Sequence, residues 1–182
     1  MIDYFAEFGL ARYAWINEEA LKTNYHALLS EIHPDKAHGD SSRAALLNNG
    51  RRILENHASR LRHLAQLIAP DFQPAGKVSP DWALFSRIGT AGQLAMETAR
   101  KKSNAKTPLM HAVLLKESMA RIAELETLTA EIEKLATDLK ERTRSLDNGS
   151  FDPSVLWGIS EEWTFLDRGR ESIKDALTAL KM

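Results

Sequence analysis

The sequence contains no cysteine among its 182 residues. This absence excludes disulfides, iron–sulfur or zinc ligation by thiolates, and a cysteine nucleophile. Long apolar runs are also missing, since none approaches the ~18 residues that a membrane-spanning helix needs. No basic segment followed by an apolar run is visible at the start of the chain, so no secretory or transit signal is predicted. We therefore expect a cytoplasmic protein with no membrane partner.

An excess of charge of one sign is lacking as well. The formal net charge is −1, with 43% hydrophobic and 27% charged residues. Nucleic acids and anionic membranes usually attract strongly basic proteins, so this balance gives no reason to expect either partner. The composition is that of an ordinary globular protein.

The patterns of common catalytic and metal sites are absent from the sequence. We find no Gly-rich phosphate loop, no Gly-x-Ser-x-Gly elbow and no carboxylate pair within an apolar run. His26 and His33 are seven residues apart, whereas two imidazoles that share a metal on one helical face are four apart. We predict no metal, no cofactor and no enzymatic activity.

Valine is scarce, with three residues against 24 leucines and 24 alanines. Leucine and alanine favour helices and valine favours strands, so the composition predicts an all-α fold. Three of the six prolines lie between residues 70 and 80, which is typical of a linker. We predict an N-terminal domain over 1–70, a linker over 71–79 and a C-terminal domain over 80–182.

The C-terminal domain is predicted to be a three-helix bundle. Its helices begin with a cap and a proline, at Ser79-Pro80, Thr107-Pro108 and Asp152-Pro153. Apolar residues follow each other at steps of three, four and seven in the second and third helices, as expected for antiparallel packing. In the second helix these residues are Leu125, Leu128, Ile132, Leu135, Leu139 and Leu146.

The first seventy residues have a different pattern. A short aromatic helix over 3–10 precedes a helix capped by Asn17, which must end at His33 because Pro34 follows. His33-Pro34-Asp35-Lys36, a polar loop and a returning helix that starts at Ser41 or Ser42 come next. This arrangement resembles a J domain, the module by which DnaJ-type co-chaperones bind the DnaK class of ATPases. The resemblance implies a helical hairpin with short flanking helices.

The opening segment, Asp3-Tyr4-Phe5-Ala6-Glu7-Phe8-Gly9-Leu10, is similar in particular to the HscB (Jac-type) family, the J proteins of iron–sulfur cluster assembly. The segment Phe165-Leu166-Asp167-Arg168-Gly169-Arg170 resembles that family's Phe-Leu-Asp-Lys-x-Arg element. The resemblance implies two partners, a DnaK/HscA-type chaperone ATPase and an IscU-like scaffold as client. The implied chaperone-binding residues are His33, Pro34, Asp35, Lys36, Lys22 and His26. The implied client-binding residues are Leu84, Phe85, Ile88 and Phe165.

The sequence departs from this family in three places, one of which is the second helix, where Lys22 and His26 stand against Glu18, Glu19 and Glu31 in place of several basic residues. Gly50 lies inside the third helix, where the family has an Asn-x-Ala-Tyr pattern, and we expect a locally loosened fold because glycine costs up to ~1 kcal/mol there. The client-binding element keeps its apolar residues and lacks its acidic ones. Two alternatives therefore stay open: a J-domain protein that serves another client, and a structural helical adaptor with a degenerate J domain.

Two groups of residues have a second interpretation. Phe85, Ile88 and Phe165 fit the bundle core as well as a client surface, because apolar residues at helical spacing usually lie inside. Five arginines could form a phosphate-binding face, but a solvated helix face is the favoured interpretation. They are Arg43, Arg51, Arg52, Arg60 and Arg62.

Overall fold

The computed structural model describes residues 1–31, 41–74, 81–148 and 151–181. Over these residues the chain is helical and contains no strand, which confirms the predicted all-α class. The helices are α1 (Tyr4–Glu7), α2 (Glu18–Glu31), α3 (Ser41–Glu55), α4 (His57–Ile68), α5 (Trp82–Ser103), α6 (Pro108–Ser145) and α7 (Pro153–Lys181), with a 3₁₀ turn at Leu146–Asn148. None of these helices is long and apolar enough to cross a membrane.

The described residues form two compact units. The first unit takes its residues from Met1–Lys77 and Lys140–Trp163, and the second from Val78–Leu139 and Thr164–Met182. Both α6 and α7 therefore contribute to both units. The division of the chain at 71–79 into a J domain and a separate bundle stays a prediction.

The helix starts follow the local signals in most cases. The Asn17 side chain accepts hydrogen bonds from the amides of Glu19 and Ala20 at the start of α2. The predicted starts of α6 at Pro108 and of α7 at Pro153 are confirmed. The start of α5 was placed too early, because the carboxylate of Asp81 caps this helix by accepting from the amide of Leu84 at 3.0 Å. Ser79 and Pro80 lie outside the described residues.

In the first unit, α1 packs on α3. The side chain of Asp3 caps α1 by accepting from the amides of Phe5 and Ala6, and the ring of Phe5 is fully buried. Gly50 is buried in α3 beneath the rings of Tyr4 and Phe8. We expected this glycine to loosen the fold, and the structure gives it a packing role, since the missing side chain leaves room that two aromatic rings fill.

The five arginines singled out in the sequence do not form one face. Arg43 pairs with Glu7, and Arg62 pairs with Glu161 at 2.7 Å. Arg60 has no solvent exposure and belongs to the core of the first unit. Both interpretations of the arginine group, a phosphate site and a solvated face, are therefore wrong for Arg60.

In the second unit, the apolar pattern of α6 forms the core largely as predicted. Leu125, Leu128, Ile132 and Leu139 are buried, whereas Leu135 remains 39% exposed. On α7, the backbone of Gly169 approaches the side chain of Ile132 so closely that a β-carbon there would lie 2.9 Å from its Cδ1.

Candidate binding surfaces

The predicted His33-Pro34-Asp35-Lys36 motif lies outside the described residues. It follows α2, which ends at Glu31 in the structure. The two other predicted chaperone-binding residues, Lys22 and His26, are exposed and lie one turn apart on α2. Side chains four residues apart share one face of a helix, so the structure brings these two together.

Packing on the opposite side of α2 determines which face it presents to solvent. Leu21 and Tyr25 are buried, and the hydroxyl of Tyr25 donates to Oδ1 of Asn48 at 2.6 Å. The side-chain amide of Asn24 donates to the carbonyl of Phe8 at 2.7 Å. These contacts tie α2 to α1 and α3, and they leave Lys22 on the outward face.

The charge of this face is mixed. Glu18 and Glu19 occupy the first turn of α2 and are exposed, as Lys22 is one turn later. Carboxylates in the first turn stabilise the helix through its dipole, but they reduce the attraction of the same surface for an acidic partner. The described part of α2 therefore gives weak electrostatic steering.

A buried histidine of α4, His63, packs against α1 and accepts a hydrogen bond from its backbone. The amide of Tyr4 donates to Nε2 of His63 at 3.2 Å, and the imidazole stacks on the ring of Phe5 with centroids 5.9 Å apart. Burial lowers the pKa of His63, because the charged form loses its hydration. The sequence analysis missed His63, and no local signal distinguishes it from an exposed histidine of α4.

Arg60 connects three segments of the first unit. Its guanidinium donates to the carbonyls of Ala14 and Leu54 at 3.0 and 2.6 Å, and it lies 2.6 Å from Nδ1 of His57. Since arginine only donates, Nδ1 of His57 is the acceptor. Burial lowers the pKa of Arg60 to about 10, although Glu18 and Asp147 act in the opposite direction.

Segment 140–163 contributes directly to this cluster. The carboxylate of Asp147 accepts from the amides of Ala14 and Trp15 at 2.6 and 3.1 Å. The ring of His57 lies between those of Trp15 and Trp163, with centroid distances of 5.2 and 4.3 Å. The sequence analysis did not single out Asp147, because its role depends on a contact across more than a hundred residues.

The predicted client-binding residues divide into two pairs. Leu84 and Ile88 are 3% and 2% exposed and belong to the core of the second unit, so they offer no surface to a client. Phe85 is 42% exposed, and its ring lies 5.6 Å from that of half-buried Phe165. Leu84 and Phe85 differ in exposure because adjacent residues on α5 point in different directions.

Trp82 extends this surface and was not predicted. It is 64% exposed, and its ring meets that of Phe85 edge-on with centroids 6.0 Å apart. The spacing of three residues between Trp82 and Phe85 is the signal that could have found it, since such residues are neighbours on a helix. We call Trp82, Phe85 and Phe165 the aromatic patch.

A groove between α5 and α7 begins at Gly89, one helical turn after Phe85. Its volume is about 630 Å³, and Gly89 and Gly92 are among its lining residues. Two residues after Phe85, the guanidinium of Arg87 makes two hydrogen bonds of 2.7 Å to Glu131 on α6, whereas the ring of Phe85 meets Phe165 on α7. Arg87 and Phe85 therefore project from different sides of α5, and the Arg87–Glu131 ion pair is not part of the aromatic patch.

Among the described residues, no group of three or more metal-ligating side chains of histidine, cysteine, aspartate or glutamate could hold a metal ion. The cluster around His57 consists of the Arg60 guanidinium, the Asp147 carboxylate and aromatic rings that bind one another or the neighbouring backbone. Its arrangement stabilises the first unit.

Comparison with known proteins shows a similarity over part of the chain. No protein-family model matches the chain. The chain is 36% identical over 77 residues to a curated protein named co-chaperone protein HscB homolog, from Azoarcus sp. (strain BH72). The match covers 38% of this chain and 44% of that protein, so it spans less than half the length of the relative. This similarity supports the resemblance to HscB co-chaperones for part of the chain.

Proposed function

We propose that the protein is an HscB-like J-domain co-chaperone. The observation that carries the proposal is the His33-Pro34-Asp35 motif directly after a helix that packs on a short Asp-Tyr-Phe-x-x-Phe-Gly-Leu helix. The partial similarity to an HscB homolog supports the same role. In this role, a DnaK/HscA-type chaperone hydrolyses ATP, and the J protein catalyses no reaction and binds no cofactor.

The proposed mechanism is a shift in the conformation of the ATPase. The imidazole of His33 and the carboxylate of Asp35 exchange hydrogen bonds with the chaperone, and Pro34 restricts the backbone between them. A partner that binds one conformation of the ATPase more tightly increases its population without touching the nucleotide. Lys22 and His26 contribute a second, weaker contact on α2.

The aromatic patch is the proposed client-binding surface. Clusters of exposed aromatic residues are typical anchors of protein interfaces. The client implied by the HscB resemblance is an IscU-like iron–sulfur scaffold, bound through Phe85 and Phe165. The segment Leu84-Phe85-Ser86-Arg87-Ile88-Gly89-Thr90-Ala91 lacks the family's acidic residues, which favours an alternative, a J-domain protein for a different client.

ATPase stimulation tests the proposed chaperone role. Single-turnover hydrolysis by DnaK- and HscA-type chaperones is measured with the wild-type protein and with the variants His33→Gln and Asp35→Asn. We expect both variants to lose stimulation. His111→Gln changes an exposed histidine of α6 and is the matched control that keeps it. If the wild-type protein stimulates none of the chaperones tested, the co-chaperone role is excluded and the structural helical adaptor with a degenerate J domain is favoured.

Calorimetry tests the client. We expect an IscU-like scaffold to bind with little dependence on salt and Phe85→Ala/Phe165→Ala to remove the binding, because apolar anchors supply most of the affinity. Leu109→Ala/Met119→Ala removes apolar side chains that are 77% and 65% exposed on α6, and it is the matched control. No heat with the scaffold, together with intact ATPase stimulation, would favour the other client.

A further inference from the structure

A second groove in the second unit lies between α6 and α7. Its floor is apolar, since Ile132 and Ile173 are buried and Leu177 is half-buried beneath it. The volume is about 370 Å³. The remaining lining residues are Thr129, Arg170, Lys174, Thr178 and Lys181.

The ionisable residues that line this groove are all cationic. Arg170, Lys174 and Lys181 lie on α7 at spacings of four and seven residues, so they project from one side of the helix. At 1.5 Å per residue they form a row of about 16 Å, or three helical turns. A row of three cations beside an apolar floor stands out in a chain of net charge −1.

Arg170 already pairs with two carboxylates, one of which is that of Asp167 at 3.6 Å. Its Nε and Nη2 atoms donate to the two carboxylate oxygens of Glu133, both at 2.9 Å. This bidentate geometry is the strong form of arginine–carboxylate pairing. Lys174 lies 4.0 Å from Glu171 and remains 73% exposed. The lysines therefore supply most of the unsatisfied positive charge.

We propose that this groove binds an acidic amphipathic helix of a partner protein. The apolar face of such a helix covers Ile132, Ile173 and Leu177, and carboxylates spaced along it pair with Lys174 and Lys181. A fatty acid has the same two chemical features, but its single carboxylate satisfies one cation of a row three turns long. This surface lies on the α6 side of α7, involves none of the aromatic patch, and does not depend on the proposed function.

The test uses the full-length protein and two labelled helical peptides of fourteen residues. Both peptides carry leucines at helical spacing, and their flanking residues are glutamates in one and lysines in the other. We expect fluorescence anisotropy to show binding of the acidic peptide only. Lys174→Glu/Lys181→Glu should weaken this binding at least about tenfold, because like charges replace complementary ones.

Two further variants make the result specific to the groove. Lys101→Glu/Lys116→Glu introduces the same charge change at exposed positions of α5 and α6 outside the groove, and we expect its affinity to stay within about twofold of the wild type. Glu133→Gln removes one of the two carboxylates that pair with Arg170, and it should tighten binding of the acidic peptide. Circular dichroism establishes that each variant is folded.

Three results would overturn the proposal. They are equal binding of the acidic and basic peptides, equal loss of affinity in the groove and control variants, and binding of decanoate without binding of the acidic peptide. The last result would assign the groove to an anionic lipid chain.

Discussion

The ring of Tyr4 lies directly against the backbone of Gly50. A β-carbon added to this glycine would be 2.5 Å from Cδ1 of Tyr4 and 2.9 Å from Cε2 of Phe8. The side-chain amide of Asn49 donates to the hydroxyl of the same tyrosine at 2.7 Å. The packing of α1 on α3 therefore requires a residue without a side chain at position 50.

Gly50→Ala is expected to destabilise the protein by about 1–3 kcal/mol, since overpacking a buried contact costs more than the helix propensity of alanine returns. Gly89→Ala is the matched control, because nothing lies within 4 Å of a β-carbon on this exposed helical glycine. It should stabilise by roughly 0.5–1 kcal/mol. Urea unfolding measures both. Stabilisation by both variants would contradict the packing role of Gly50.

Arg60 is expected to be essential for the stability of the first unit. Arg60→Met removes the donors that reach the carbonyls of Ala14 and Leu54, and each unpaired buried acceptor costs about 1–3 kcal/mol. Relief of a buried charge offsets part of this cost, so we expect a net loss of about 2 kcal/mol. Arg52→Met changes an exposed arginine of α3 and should have little effect. Equal midpoints of thermal unfolding for the two variants would refute this role of Arg60.

Local signals predicted the elements of the fold better than they predicted its contacts. The helix starts at Pro108 and Pro153 depend on a cap and a proline within a few residues, and both were correct. Arg60 and His63 were not placed, because each has a partner on the backbone of a segment more than 45 residues distant. A charged or polar side chain in a helical sequence looks the same whether it is solvated or buried with partners.

The same limit applies to the candidate client surface. Helical periodicity identified an apolar segment of α5, but it did not determine which of the neighbours Leu84 and Phe85 points outward. That choice depends on how α6 and α7 pack against the helix. The structure puts Leu84 in the core and exposes Phe85, and Trp82 contacts Phe85 because residues three apart are neighbours on a helix.

Stability is expected to fall at acidic pH through His63. Burial lowers its pKa in the folded state, with a small opposing contribution from Asp3 and a further lowering by Arg12. The unfolded chain therefore binds the proton more readily, so this contribution is complete above a pH of about 6.5 and declines as the pH falls below it. Protonation also removes the acceptor for the amide of Tyr4.

His63→Gln isolates this effect, because glutamine retains an acceptor and does not titrate. The free energy of unfolding of both proteins is measured between pH 5 and pH 8. We expect the difference between wild type and variant to shift against the wild type at the acidic end. A difference that is constant over this range would exclude His63 as the source.

Asp147 is expected to hold segment 140–163 against the N-terminal part of the first unit. Asp147→Ala leaves the amides of Ala14 and Trp15 without their acceptor, at a cost of about 1–3 kcal/mol. Burial raises the pKa of this carboxyl group, so its removal also relieves some desolvation and the net loss should lie at the lower end. Asp138→Ala, at an exposed position of α6, is the control.

Amide hydrogen exchange measures the contact of Asp147 directly, since only Asp147→Ala should increase the exchange rates of the Ala14 and Trp15 amides. Unchanged protection of both amides would mean that the aromatic stack of Trp15, His57 and Trp163 holds the segment without Asp147.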